Sequence, residues 1–71
     1  MLRKRSLNLA GHATSVALEP EFWAALGLMA TEGGRSLTSI VAEIDASRGG
    51  RPLASACRVA ALTWAGELQL G

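Results

Sequence analysis

Between Ser6 and Leu18 apolar and polar side chains alternate: Leu7 and Leu9 fall on one side of a first run, and Thr14, Val16 and Leu18 on one side of a second. A period of two belongs to a strand with one face on a core, so two short strands are predicted. The link Ala10-Gly11-His12 contains a glycine free to adopt positive φ, as a hairpin or a tight bend requires. An irregular arm would leave the same trace. Residues 1–12 are therefore assigned to a basic N-terminal strand or arm, and residues 13–18 to a ribbon strand.

From Pro20 the period lengthens. Proline suits the first position of a helix, where its missing N–H is not needed, and Glu19 and Glu21 add negative charge at the positive end of the helix dipole. Phe22, Leu26, Met29 and Ala30 then recur at helical spacing with Trp23 widening the stripe, which predicts a first helix over 20–32. Gly33-Gly34 stops it, one of the two acting as a left-handed cap. Ser36 is an N-cap for a second helix over 36–47, whose buried face carries Leu37, Ile40, Val41 and Ile44 before Gly49-Gly50 ends it. After Pro52, Leu53, Ala56, Cys57, Ala60, Ala61, Trp64 and Leu68 keep helical spacing, and Val59 and Leu62 make a second side apolar. This third helix, over 52–68, has only Arg58 and Glu67 as charges and is expected to pack between other elements.

The fold class that follows is mainly α with a short β-ribbon, in a single domain. With 71 residues and 49% of them hydrophobic, the chain has more apolar surface than so small a core hides comfortably. Cys57 has no disulfide partner, and one cysteine with one histidine cannot form a four-ligand zinc site, so no metal and no cofactor are expected. Oligomerisation remains as the source of stability. The open edge of the second strand points the same way, because pairing it with a second copy about a two-fold axis satisfies its backbone groups. A homodimer is expected. No apolar run is long enough to span a bilayer, and Leu2-Arg3-Lys4-Arg5 is not followed by a signal-like apolar segment; the expectation is a cytoplasmic protein with no membrane contact.

Charge changes the picture through its distribution. The net value is +1, but Met1 to Val16 carries Arg3, Lys4 and Arg5 without an acid, whereas Ala17 to Asp45 carries Glu19, Glu21, Glu32, Glu43 and Asp45 against Arg35 alone. The basic first segment permits nucleic-acid contact; a solvated terminus would show the same charges. His12, the serines and Asp45 show no spacing that organises them into a catalytic set, so an enzyme is not expected. Cys57, on an apolar stripe among alanines, is expected to be a small buried hydrophobe, and Trp23 and Trp64 are expected to be apolar anchors. Arg48 and Arg51 are expected to meet Asp45 or the C-terminal end of the second helix.

The stretches Thr14-Ser15-Val16-Ala17-Leu18-Glu19-Pro20-Glu21-Phe22-Trp23-Ala24-Ala25-Leu26 and Gly33-Gly34-Arg35-Ser36-Leu37-Thr38-Ser39-Ile40-Val41 combine an alternating strand, an amphipathic helix, a Gly-Arg-Ser turn and a helix opening Leu-x-x-Ile-Val. Over Ala13 to Ser47 this resembles the ribbon-helix-helix superfamily of the Arc and MetJ repressor kind. Lys4-Arg5-Ser6, Ala10-Gly11-His12, Ile44-Asp45-Ala46-x-Arg48 and Leu53-Ala54-Ser55-Ala56 extend the likeness, which is similar to a bacterial subfamily of small ribbon-helix-helix domain proteins.

The resemblance implies an intertwined homodimer with an N-terminal hairpin or arm and an extra C-terminal helix, and it implies a two-stranded ribbon, one strand from each copy, in the major groove of double-stranded DNA. With Val16 and Leu18 turned inward, the base-facing positions carried over are Ala13, Ser15 and Ala17, joined by His12. Phosphate would be held at the start of the second helix by Ser36, Leu37 and Thr38 with Arg35 beside them, and by the Arg3-Lys4-Arg5 arm. The dimer core would contain Val16, Leu18, Phe22, Trp23, Leu26, Ile40, Val41, Ile44 and Trp64. The implied role is transcription regulation. The weak hydrogen-bonding capacity of Ala13 and Ala17 leaves an alternative: the same fold used as a protein-interaction module, antitoxin-like or adaptor, with a protein partner.

Overall fold

The structure, a computed structural model, describes the backbone of residues 1–70 and the side chains of residues 1–68. Strands β1 (Arg3–Leu9) and β2 (His12–Leu18) are followed by helices α1 (Pro20–Glu32), α2 (Leu37–Ser47) and α3 (Leu53–Leu70). The hairpin, rather than the irregular arm, is what forms. β1 and β2 pair antiparallel over their full length, from Arg3 opposite Leu18 to Leu9 opposite His12. The connection is two residues, Ala10-Gly11, not three, because His12 already belongs to β2. Ala10 at φ 51° and Gly11 at φ 84° both lie in the left-handed region, the signature of the I′ turn whose twist matches that of the flanking strands.

Two-stranded hairpins are marginal in water unless one face is buried. Leu7, Leu9, Val16 and Leu18 supply that face, packing with Trp23, Leu26 and Ala30 of α1, Ile40 and Val41 of α2, and Cys57 and Ala61 of α3. Leu18, Leu26, Val41 and Cys57 have the largest side chains that are fully buried. The three helices pack on one another, α2 also against β1, and α1 and α3 against β2.

Local sequence sets the ends of the helices. Pro20 opens α1, with the Phe22 and Trp23 N–H groups donating to the Glu19 carbonyl. At the far end the left-handed residue is Gly34, at φ 64°; its N–H donates to the Thr31 carbonyl and that of Arg35 to the Ala30 carbonyl, the paired bonds of a Schellman stop. The Ser36 hydroxyl caps α2 by accepting from the Ser39 N–H at 3.1 Å. Arg48 does meet Asp45, at 2.6 Å, and donates to the Arg51 carbonyl at 2.8 Å, closing the loop into α3.

One expectation needs correction. α3 is not packed between elements: Ala56, Cys57 and Ala61 are buried on its inner side, but Val59, Leu62 and Leu68 are exposed, Leu62 at 71%. One side of a helix meets the three neighbours, and the remaining side has none among the described residues. Val16, Leu18, Trp23, Leu26, Ile40 and Val41, assigned above to the interior of a dimer, are buried within one chain, and Phe22, Ile44 and Trp64 are half-buried.

Candidate nucleic-acid interface

Register decides which side chains share a face. In an antiparallel pair, residues directly opposite project to the same side, and the two sides alternate along each strand. The inner face therefore carries Arg3, Arg5, Leu7 and Leu9 of β1 with Leu18, Val16, Thr14 and His12 of β2. The outer face carries Lys4, Ser6 and Asn8 opposite Ala17, Ser15 and Ala13. Five of these six outer side chains are exposed and Ala17 is half-buried.

The positions expected to face bases thus separate. Ala13, Ser15 and Ala17 lie together on the outer face, whereas His12 belongs to the inner row and is exposed only because it stands at the tip of the hairpin. The basic arm is likewise divided by the pleat. Lys4 projects outward, while the Arg5 guanidinium lies over the Trp23 ring, 5.3 Å from its centroid. The Trp23 Nε1–H donates to the Arg3 carbonyl at 2.8 Å, tying β1 to α1 across 20 residues of sequence. Arg3, Lys4, Arg5 and Trp23 together line a shallow cavity of about 300 Å³ at this end of the ribbon.

The α2 N-terminus keeps part of its capacity for an anion. The Ser39 N–H is taken by Ser36 Oγ and the Ile40 N–H by the Ser36 carbonyl, which leaves the first-turn N–H groups of Leu37 and Thr38 without a partner among the described residues. Arg35, expected to add charge there, instead runs along α2: it forms an ion pair with Glu43 and donates to the Ser39 carbonyl at 3.2 Å and Ser39 Oγ at 3.1 Å.

Other charged groups serve the scaffold. Arg58 on α3 reaches Glu19 at 2.9 Å and lies 5.8 Å from the centre of the Phe22 ring, fastening α3 to the start of α1. A backbone hydrogen bond first, and the Arg58 guanidinium second, hold the Glu19 carboxyl below its usual pKa. Burial pushes the Cys57 thiol up, with the Asp45 charge adding to the effect, so this cysteine stays a neutral thiol. Among the described residues no three His, Cys, Asp or Glu side chains cluster as a metal site would need, and no helix is long and apolar enough to cross a membrane.

Ser6 and Asn8 escaped the sequence reading. The signal was present as Lys4-x-Ser6-x-Asn8, polar at period two between inward-facing Leu7 and Leu9. Only the Ala10-Gly11 turn, by setting the register, shows that this row stands beside Ser15.

Neither a curated protein nor a solved structure matches the chain. A family model described as a ribbon-helix-helix domain does, over residues 2–65, spanning both strands, α1, α2 and most of α3. A match over that length, on a chain with the strand-helix-helix order just described, shows that the protein belongs to the ribbon-helix-helix domain family.

Proposed function

We propose that the protein is a homodimeric DNA-binding regulator that sets a β-ribbon into the major groove, and that its work is binding rather than catalysis. The observation that carries this is the outer ribbon face: six neighbouring side chains, small or polar, on a backbone held in place by four buried aliphatic residues of the opposite face. A two-stranded ribbon is one of the two elements that a B-form major groove admits. Family membership supports the same role, since ribbon-helix-helix domains generally bind DNA, as regulators or antitoxins. Lys4 on the outer face and the Leu37 and Thr38 N–H groups supply phosphate contacts, which position the protein without reading sequence. A second copy would cover apolar side chains left exposed on the helices, Leu28, Val59 and Leu62 among them.

Fluorescence anisotropy of a labelled duplex at low salt tests this, with sedimentation giving the stoichiometry. The expected result is binding by a dimer with a log–log salt slope of roughly −5, for about six neutralised phosphates. No binding to any duplex at micromolar dimer would remove the proposal.

A second reading, an interaction module for a protein partner, is favoured by one observation. Arg5 and Arg35 are both engaged within the chain, by Trp23 and Glu43, so the outer face presents Lys4 as its charged group. Partners captured from extract that survive nuclease treatment would support this reading over the first.

A further inference from the structure

Where the C-terminal end of α2 meets α3, the chain keeps a cavity of about 220 Å³. Its floor is aliphatic, from Ile44 of α2 and Ala56, Val59 and Ala60 of α3, and its polar side is formed by Ser47, Arg48 and Arg51. No ribbon residue and no residue of the α2 N-terminus lines it, so it stands apart from the interface described above. We propose that this cavity binds a short aliphatic carboxylate, with the charged group on Arg48 and Arg51 and the hydrocarbon on the floor.

The two arginines differ in how much of each guanidinium the fold uses. Arg48 is fixed: its Nε donates to Asp45 Oδ1 at 2.6 Å and its Nη1 to the Arg51 carbonyl at 2.8 Å, which leaves Nη2 without a partner among the described residues. The Arg51 N–H in turn donates to the Arg48 carbonyl at 3.2 Å, so the loop that carries both side chains is closed by two bonds. The Arg51 guanidinium meets only Ser55 Oγ, at 3.4 Å, beyond the usual range of a hydrogen bond, and no carboxylate pairs with it among the described residues. Scaffolding therefore accounts for Arg48 in part and for the Arg51 charge not at all.

The balance of charge selects the ligand's headgroup. Arg48 is matched by Asp45 and Arg51 is unmatched, which leaves a single positive charge at the cavity and suits a monoanion. The Ser47 hydroxyl already donates to the Glu43 and Ile44 carbonyls, so the donors left at the polar side belong to guanidiniums, whose planar fork fits the two oxygens of a carboxylate. An exposed ion pair alone contributes little. A hydrocarbon tail supplies the rest by removing the aliphatic floor from water.

Volume sets the size. The cavity is roughly seven times the ~30 Å³ share of a water molecule in the liquid, so a ligand of about six to ten non-hydrogen atoms fills it. Drug-sized ligands occupy pockets of about 300–1,000 Å³ and are too large. Hexanoate falls within the range.

Titration of the full chain with sodium hexanoate at constant ionic strength, followed by NMR of the backbone amides and the arginine Nε–H groups, tests the proposal. Hexanamide, without the charge, and acetate, without the hydrocarbon, are the comparison probes. Hexanoate is expected to give saturable shifts at Ile44, Ala56, Val59 and Ala60 and at the Arg51 Nε–H, with a Kd of about 0.1–1 mM for so small a ligand. Both comparison probes should bind at least about 10-fold more weakly, and Arg51→Gln should weaken hexanoate by about 10-fold. Because Arg51 is exposed, the substitution should leave the Tm of the unliganded protein within about 2 °C of wild type. Equal affinity for hexanamide, hexanoate binding unchanged in R51Q, or shifts confined to residues outside the cavity would overturn the inference. So would the absence of saturable binding up to about 10 mM, including the case in which a second copy fills the cavity. None of these outcomes depends on whether the protein binds DNA.

Discussion

Ala10 occupies the one non-glycine position of positive φ in the described chain, at 51°, and its replacement by asparagine should stabilise the fold. For an L-residue the left-handed region costs about 1–2 kcal/mol, because Cβ crowds the following carbonyl oxygen; asparagine offsets much of that through local hydrogen bonding. Nothing in the structure opposes the change: Ala10 is exposed, and Asn-Gly is the preferred pair for a two-residue I′ loop. Ala10→Asn is therefore expected to add about 1 kcal/mol, which for a domain of this size raises Tm by about 4–8 °C. Ala10→Gly removes the same strain but frees the unfolded chain by roughly 0.5–1 kcal/mol, so its net effect should be near zero. Ala10→Val, β-branched at positive φ, should destabilise. Urea titrations followed by circular dichroism, at one protein concentration so that dimerisation does not shift the midpoints, would give the order Asn above Gly and Ala, with Val last. If asparagine were no better than alanine, or valine as good, Ala10-Gly11 would not be the turn of an intrachain hairpin. The ribbon would then have to be built another way.

Three further outcomes are expected. Trp23→Phe removes the donor to the Arg3 carbonyl and should cost about 1–2 kcal/mol in urea, with backbone amides of β1 exchanging faster than those of α2. Glu19→Gln tests the tie to α3. Because the folded carboxyl lies below its unfolded pKa, the stabilisation it gives is present above the unfolded value and lost as pH falls through the folded one; wild type and E19Q should therefore differ at neutral pH and converge in acid, measured by Tm against pH. Cys57 is fully buried with its thiol pushed up, so alkylation in native buffer should proceed only as fast as the chain opens; labelling at the rate of a free thiol would contradict that burial.

What the sequence determined by itself is what depends on local repeat. A period of two placed Leu7, Leu9, Val16 and Leu18 on one face of two strands, and a longer period gave the inward sides of the helices, because backbone geometry alone links those positions. Pro20, Gly33-Gly34 and Ser36 marked helix ends through their own φ preferences and hydrogen-bonding groups, and the family resemblance rested on that same succession. Tertiary structure decided which side chains meet across distance. The pleat and the register turned Arg5 toward Trp23 and set Asn8 beside Ala13; packing drew Arg58 to Glu19 across 39 residues and gave Arg35 to Glu43. A basic arm and a phosphate anchor look alike in sequence whether their guanidiniums are free or engaged, because charge has no period. Only the folded chain shows where each one goes, and that α3 keeps an apolar side that none of the described residues covers.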